Sequence, residues 1–423
     1  MSDPSRRDVL RLAGATALWL GCGDNLATKP PGDAAGTAIF EPTSESFLVS
    51  AWAVYAREVA IEVRAAGEIV ASVRAPVVAG QAVARITGLA ASTAHDVTVL
   101  ADDGTLMTNL VRTAPAVDDT RPIRIAVSAD LDPQPEFASD IFEQIVAAQP
   151  ELFVTIGDVP YTDNGPPATT VPVYRERHAA MRSAPHVRAW LAAMGVTAIY
   201  DDHEFRNDWD GARAAAEPER FAAAMQVWDE FFPIAEVRPA DDVRYRSFRW
   251  GANVEGFVLD CRRFRSADDA PDDAGKTMLG ATQKAWLLAG LARSTAPFKL
   301  VFTSVPLDFG NGNDHWATFT TEREEIFAAI QAMATPGVVF LSGDQHYFAA
   351  YRHSAGLREF QVGPLARGLG TIGREAPGVL FRDVRYNFGL LDITPDTLTI
   401  SGVGPGGDVF YQETFSSAQL APM

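Results

Sequence analysis

The spacing of apolar and polar residues changes near residue 118 of this 423-residue chain. From about 37 to 115, short runs alternate between apolar and polar positions, as at 47–52, 59–63 and 95–100. Alternation with a period of two is typical of half-buried strands, and turn-forming residues separate these runs. We therefore predict a small β-sandwich in this region, with its single histidine, His95, at the surface.

Beyond residue 120, apolar runs of strand length alternate with stretches of helical periodicity. The predicted strands are 123–127, 152–156, 197–200, 256–259, 299–303, 337–341, 389–393, 397–400 and 409–415. The predicted helices are 137–148, 181–194, 221–232, 283–292 and 322–334. This alternation indicates an α/β fold of β-sheets flanked by helices, with functional loops at the strand ends. We expect the last three strands to complete a second sheet of the same domain.

Paired arginines precede a short apolar segment at the start of the chain. Arg6 and Arg7 are followed by the apolar residues 12–21, which is typical of a twin-arginine export signal. The segment is too short for a membrane-spanning helix, which needs about 20 apolar residues. Cys22 follows in a context similar to a lipoprotein cleavage box and is a candidate lipid anchor. We expect export by the twin-arginine machinery to the periplasm or cell surface; an ordinary amphipathic start is the alternative.

These patterns divide the chain into four segments. Residues 1–23 are the predicted signal peptide, and residues 24–36, rich in Pro, Gly and Ala, are a flexible linker. Residues 37–116 form the predicted fibronectin- or immunoglobulin-like β-sandwich. Residues 120–416 form the α/β domain, which carries most of the residues suited to chemistry.

The charge balance excludes one large class of partner. The chain has 36 basic and 54 acidic side chains, and its formal charge is −18. A protein this acidic repels polyanions, so we do not expect it to bind nucleic acid. Its cysteines are Cys22 and Cys261, so removal of the signal would leave no intrachain disulfide. Stability must then come from burial.

Polar and acidic residues directly follow four of the predicted strands. They are Asp130 and Asp132, then Asp158, then Asp201, Asp202, His203 and Glu204, and finally Asp344 and His346. The ends of parallel strands converge on one crevice of an α/β fold. Four acidic clusters brought together would repel one another unless cations neutralise them. The sequence therefore predicts a metal site at this edge.

Five short motifs occur in a specific order along the α/β domain. They are Gly157-Asp158-Val159-Pro160-Tyr161, Asp202-His203-Glu204 with Asn207, Asp260-Cys261-Arg262-Arg263-Phe264-Arg265, the segment 279–287, and Ser342-Gly343-Asp344-Gln345-His346. This set resembles the PhoD-like alkaline phosphatases (the alkaline phosphatase D family) of the calcineurin-like metallophosphoesterase superfamily. The resemblance implies a hydrolase acting on phosphoric esters. It also implies that 120–416 is a metallophosphoesterase catalytic domain.

The resemblance assigns roles to individual residues. It implies metal ligands at Asp158, Tyr161, Asp202, Asn207, Asp344 and His346, with Asp208 as a further candidate. It also implies that Arg262 binds phosphate, since a guanidinium group can contact two phosphate oxygens at once. The chain departs from the family at Asp130, where a cysteine ligand is usual. An aspartate there can still bind a hard cation, and Asp132 is a candidate for a weak or outer ligand.

The resemblance implies Ca²⁺ and Fe³⁺ as cofactors. Because Asp130 stands in place of the cysteine, Mg²⁺ and Mn²⁺ are alternatives among the cations that prefer oxygen ligands. A zinc site dominated by histidine is not expected, since the chain has only seven histidines.

The expected function is hydrolysis of phosphate monoesters, diesters or both by attack of a metal-bound hydroxide. Arg262 would offset charge on the phosphoryl oxygens, and His203 would protonate the leaving alkoxide or hold phosphate. The segment Asn313-Asp314-His315-Trp316 is a candidate wall of the substrate cleft. The alternatives are a non-catalytic, metal-stabilised surface binding protein and a phospholipase-D-like phosphodiesterase. We expect a monomer.

Overall fold

A computed structural model describes residues 35–132, 134, 138–234 and 243–423 of the chain. The predicted signal peptide, Cys22 and most of the predicted linker lie outside these residues. Within the described ranges, no helix combines the length and apolar character needed to cross a bilayer.

Most elements lie where the sequence predicts them, but the last three strands join the sheet of the first α/β strands and do not complete a second sheet. The strands are β1 (Ala35–Phe40), β2 (Ser46–Ala53), β3 (Glu58–Ala65), β4 (Glu68–Pro76), β5 (Gln81–Thr87), β6 (Ala94–Ala101), β7 (Leu106–Arg112), β8 (Ile123–Ser128), β9 (Leu152–Ile156), β10 (Gly195–Ile199), β11 (Arg246–Trp250), β12 (Val254–Val258), β13 (Phe298–Phe302), β14 (Val338–Ser342), β15 (Phe348–Arg352), β16 (Arg358–Gln361), β17 (Val379–Asp383), β18 (Phe388–Ile393), β19 (Leu398–Val403) and β20 (Val409–Phe415). The helices are α1 (Ile141–Ala148), α2 (Val171–Ser183), α3 (Pro185–Ala193), α4 (Gly211–Ala216), α5 (Pro218–Phe231), α6 (Gly280–Arg293) and α7 (Thr320–Ala332).

The first strands form a β-sandwich. Strands β4, β3, β6 and β7 pair in that order and pack on β1, β2 and β5 through a shared apolar core. Val59, Ile61 and Val63 alternate inward along β3, which confirms the period-two pattern. The surface position predicted for His95 is wrong: the side chain is 1% exposed and packs edge-on against Phe47.

One sheet of this sandwich continues into the α/β region. Among the described residues, nine strands pair in the order β20-β19-β18-β8-β9-β10-β1-β2-β5. Strands β8, β9 and β10 are parallel neighbours, and β1 pairs in parallel with β10. The joint at β1 covers an edge of β10 that would otherwise expose unpaired backbone groups. Hydrophobic alternation cannot reveal such a joint, because it does not specify which strands become neighbours.

A second sheet packs against the first. Among the described strands it has the order β11-β12-β13-β14-β16-β15-β17, and β12, β13, β14 and β16 are parallel. Phe302 and Leu341 join the core shared with the first sheet. Val301 and Phe340 instead pack in a separate cluster with residues of α6 and α7. Helices therefore flank the paired sheets, as the fold-class prediction required.

Two predicted helices differ more than the others from the observed ones. The stretch predicted as one helix over 181–194 is the end of α2 followed by α3, with Ala184 extended between them. Pro185 causes the break, because it lacks a backbone N–H and disfavours a helical conformation in the residue before it. The helix predicted from residue 137 begins at Ile141 in the structure.

We expect Phe153→Ala to lower the free energy of unfolding by about 3–5 kcal/mol, because it leaves a cavity in the core. Phe153 of β9 is 0% exposed and packs edge-on against Trp190 of α3. Leu110→Ala is the control, since Leu110 is 49% exposed and its truncation should cost less than about 0.5 kcal/mol. Urea denaturation measures both, and similar losses would contradict this packing.

Candidate metal centre

The loops that follow β8, β9, β10 and β14 meet at one edge of the paired sheets. Three groups of side chains there hold possible ligand atoms within 4.8 Å of one another: Asp130, Asp158 and His346; Asp158, Asp202 and His203; and Asp158, Asp201, Asp202 and Asp344. A fourth group of Asp202, Asp208 and Asp314 adjoins them. Asp158 and Asp202 each belong to three groups, so they connect adjacent positions for a cation.

Unusual backbone conformations aim these side chains at the same point. Asp130, Asp158, Asp344 and His346 have φ angles of 62°, 58°, 73° and 58°. This left-handed region is uncommon for residues other than glycine, although Asp and His tolerate it best. Gly157, also at positive φ, lets the end of β9 approach Asp201, where a Cβ atom would clash. Such strain is typical of functional sites.

The carboxylates are buried and incompletely hydrogen-bonded. Asp130, Asp158 and Asp202 are at most 2% exposed. Among the described residues, none donates a hydrogen bond to either carboxylate oxygen of Asp130 or to Oδ1 of Asp202. A buried carboxylate without partners is strongly destabilising. Oxygen atoms left unpaired at one point are what a hard cation requires, so the donor set fits a metal centre.

Without a cation, protons must replace the missing positive charge. Burial, together with repulsion from neighbouring carboxylates, raises the pKa values of Asp130, Asp158 and Asp344 well above their usual range. Burial likewise raises the pKa of Asp202 to about 6, although Arg262 opposes the shift.

Tyr161 and His346 complete one side of the centre. His346 Nδ1 lies 2.7 Å from the carbonyl oxygen of Gly368, which can only accept, so this nitrogen carries the proton. The lone pair on Nε2 therefore faces inward, 2.7 Å from the Tyr161 hydroxyl, which also lies 2.9 Å from Asp158 Oδ2. Burial lowers the pKa of His346 to about 4 and keeps the ring neutral. The predicted residues Tyr161 and His346 therefore face the same point as Asp158.

His203 is held by a partner that the sequence analysis missed. Its Nδ1 lies 2.7 Å from Asp163 Oδ1, and the other oxygen of Asp163 accepts from the backbone N–H of Asn207 at 2.8 Å. The His203 ring packs against that of Tyr161 with 4.0 Å between centroids. Although burial opposes it, Asp202 and Asp163 raise the pKa of His203 to about 9. The signal was available, because Asp163 follows Tyr161 closely in the loop after β9.

Glu204 braces the loops and does not point into the centre. Its carboxylate accepts from the backbone N–H groups of Asp158 at 3.1 Å, Val159 at 2.7 Å and Asp201 at 2.9 Å. It therefore fixes the loop after β9 against the loop after β10. Its pKa is raised to about 8, chiefly by burial.

The structure does not place Arg262 to bind phosphate. Its side chain is 0% exposed, and it donates two hydrogen bonds to each of Asp201 and Asp314, at 2.5–2.8 Å. Although burial opposes it, Arg262 and Arg265 hold the pKa of Asp314 below its usual range. Arg262 thus compensates two carboxylates behind the centre. A sequence motif cannot show this, because both partners lie in other loops.

Other predicted positions also differ from expectation. Trp316 does not line a cleft, since it is 2% exposed and donates from Nε1 to Thr303 Oγ1 at 3.0 Å. Asn207 lies at the exposed rim of the centre. Its neighbour Asp208 donates a backbone hydrogen bond to Asp202. Asp132 accepts hydrogen bonds from the side chains of Asn164 and Gln134 and so holds these two side chains in place.

Comparisons with known proteins identify the family and the fold of the chain. A family model described as PhoD-like phosphatase matches residues 133–371. Alkaline phosphatase D of Bacillus subtilis (strain 168) is 30% identical over 214 residues, or 44% of this chain. The chain spans only about a third (36%) of the length of that relative. A solved structure of PhoD shares the fold, with a TM-score of 0.83 and 20% identity over 92% of this chain and 91% of that one.

We expect the metal-free protein to lose stability as the pH rises from about 6.5 to about 8.5. Folding raises the pKa of Glu204 to about 8 and that of His203 to about 9, above the values of the unfolded chain, and it shifts the pKa values of Asp130, Asp158 and Asp344 in the same direction. The folded state therefore binds more protons in this range. Each such group can contribute up to about 1.4 kcal/mol per pH unit.

Urea denaturation in the presence of a chelator measures this slope. Saturating Ca²⁺ or Mn²⁺ should flatten it, because a bound cation favours the ionised carboxylates. Asp130→Asn should reduce it in the metal-free protein. A flat profile in chelator would contradict the burial of uncompensated carboxylates.

Proposed function

The chain belongs to the PhoD-like phosphatase family, and we propose that it is a metal-dependent phosphoesterase that hydrolyses phosphate monoesters and diesters. The observation that carries this proposal is the convergence of buried Asp130, Asp158 and Asp202, because both oxygens of Asp130 and Oδ1 of Asp202 accept no hydrogen bond from the described residues. A purely structural loop cluster would have no reason to accumulate such carboxylates at an accessible edge.

Two adjacent cation positions account for the donor groups. Asp130, Asp158, Tyr161 and His346 would hold one cation, and Asp158, Asp202 and Asp344 would hold a second. Bound there, cations would supply Lewis-acid activation of water and charge compensation for the phosphoryl group. The predominance of oxygen donors favours Ca²⁺, Fe³⁺, Mg²⁺ or Mn²⁺ over zinc.

His203 is suited to deliver a proton to the leaving group. Asp163 holds its Nδ1 atom, so Nε2 is the atom available for transfer. The His203 side chain is 14% exposed, which allows contact with a bound ester. Protonation of an alkoxide as it leaves is a general-acid step that accelerates cleavage of poor leaving groups most.

We also propose that the protein acts after export to the periplasm or cell surface. The support is the pair Arg6 and Arg7 before a short apolar segment, with Cys22 as a candidate site of lipid attachment. Twin-arginine export of an already folded chain would allow metal to be loaded before export.

Asp158→Asn should remove most bound metal and lower turnover of p-nitrophenyl phosphate by more than about 100-fold, because it neutralises a carboxylate that three of the possible ligand groups share. Asp396→Asn, at an exposed turn, is the control and should change neither. Metal analysis and kinetics on mono- and diester substrates provide the measurement. Undiminished turnover in Asp158→Asn would refute the assignment. A wild-type protein that binds metal but hydrolyses no ester would favour a non-catalytic surface protein.

Asp163→Asn should lower kcat by about 10–100-fold while bound metal and KM stay close to those of the wild type. Since Asp163 acts through His203, adding Asp163→Asn to His203→Asn should lower kcat little further. The double variant should therefore be close in rate to His203→Asn alone. The loss should be larger for an alkyl phosphate than for p-nitrophenyl phosphate, whose leaving group needs little protonation. Equal losses on both substrates would indicate a merely structural role.

A further inference from the structure

We propose that Arg367 binds a non-bridging oxygen of the phosphoryl group, and that Asn164 and Asp132 position its guanidinium for this contact. The inference rests on the proposed function, since the ligand is the phosphoryl group of an ester substrate. It gives Arg367 the role that the motif resemblance assigned to Arg262.

Arg367 lies beside the metal centre. Its guanidinium carbon is 4.5 Å from the centroid of the Tyr161 ring, and the hydroxyl of that ring contacts both Asp158 and His346. The Arg367 side chain is 24% exposed, and that of His346 is 21% exposed. Both side chains therefore reach the accessible side of the cluster, where a substrate would arrive.

Side chains from two other loops hold the guanidinium. Arg367 Nη2 donates to Asn164 Oδ1 at 3.2 Å, and Nη1 lies 3.9 Å from Asp132 Oδ2. Asn164 Nδ2 in turn donates to Asp132. The backbone N–H of Asp132 donates to the carbonyl oxygen of Ala366 at 2.7 Å, which ties it to the residue before Arg367. These contacts limit the freedom of a long side chain, and less entropy is lost when a ligand binds.

The difference from Arg262 supports the assignment. Arg262 is 0% exposed and donates pairs of hydrogen bonds to two carboxylates. Arg367 is partly exposed, and its Nη1 atom lies 3.9 Å from Asp132 Oδ2. A phosphoryl group entering a site rich in carboxylates needs a cationic contact besides the metals, and a guanidinium group suits phosphate oxygens.

The experiment measures binding of inorganic phosphate to the metal-loaded, full-length protein by calorimetry, together with kinetics on p-nitrophenyl phosphate. We expect Arg367→Gln to weaken phosphate binding by about 10–100-fold, the range expected for one hydrogen bond to a charged group. KM should rise and bound metal should stay unchanged. Arg367→Lys should restore part of the affinity, and Asn164→Ala should weaken binding by less than Arg367→Gln.

Arg374→Gln is the matched control. Arg374 lies in the segment between β16 and β17, as Arg367 does, is 61% exposed and pairs with Asp308. Its replacement should leave phosphate binding at the wild-type level. An equal loss in the control would overturn the inference, since it would reflect general charge or a disturbed segment.

The outcomes separate this inference from the proposed function. If the wild type hydrolyses esters and Arg367→Gln binds phosphate normally, the inference fails and the function stands. If the wild type hydrolyses no ester but binds phosphate through Arg367, the inference stands and the function fails. If the metal-loaded wild type binds no phosphate, the inference is wrong.

Discussion

The structure depends on compensation of buried negative charge at one edge of two packed sheets. Asp130, Asp158 and Asp202 are each almost completely inaccessible, and they lie close enough to share cations. Ionised carboxylates without partners are very costly in a medium of low dielectric constant. Either protons or cations must therefore occupy this edge, and the two choices predict different chemistry. Protonated carboxyls would form an inert core, whereas cations would create a centre for activation of water.

The fold supplies this arrangement by topology and by bracing. Parallel strands β8, β9 and β10 end at the same edge, so the loops that follow them meet without long connections. Glu204 ties two of these loops together through backbone N–H groups, and Arg262 offsets Asp201 and Asp314 behind them. The acidic residues of the four loops thus divide into those that face the centre and those that are already compensated. Truncation of one compensating residue would leave a buried charge unpaired, which is more damaging than loss of an exposed ion pair.

Much of this arrangement could be predicted from the sequence. Hydrophobic periodicity located most elements, and acidic residues after buried strands indicated the centre, because both depend on local order along the chain. Contacts between side chains of different loops are harder to predict from the sequence. The motif around Arg262 predicts phosphate binding because it shows the guanidinium but not the two carboxylates that occupy it. A surface position for His95 is wrong because the sequence does not show its edge-on contact with Phe47. Arg367 belongs to none of the motifs, and only the fold brings it to Tyr161.

We infer that cations, and not protons, compensate the carboxylates of the working protein. Anomalous X-ray scattering from crystals grown with Mn²⁺ tests it most directly, because it locates the ion independently of activity. We expect a strong peak bounded by Asp130, Asp158 and His346, with a second peak between Asp158 and Asp202. Ordered carboxylates with no peak between them at saturating Mn²⁺, or peaks confined to other surfaces, would contradict it.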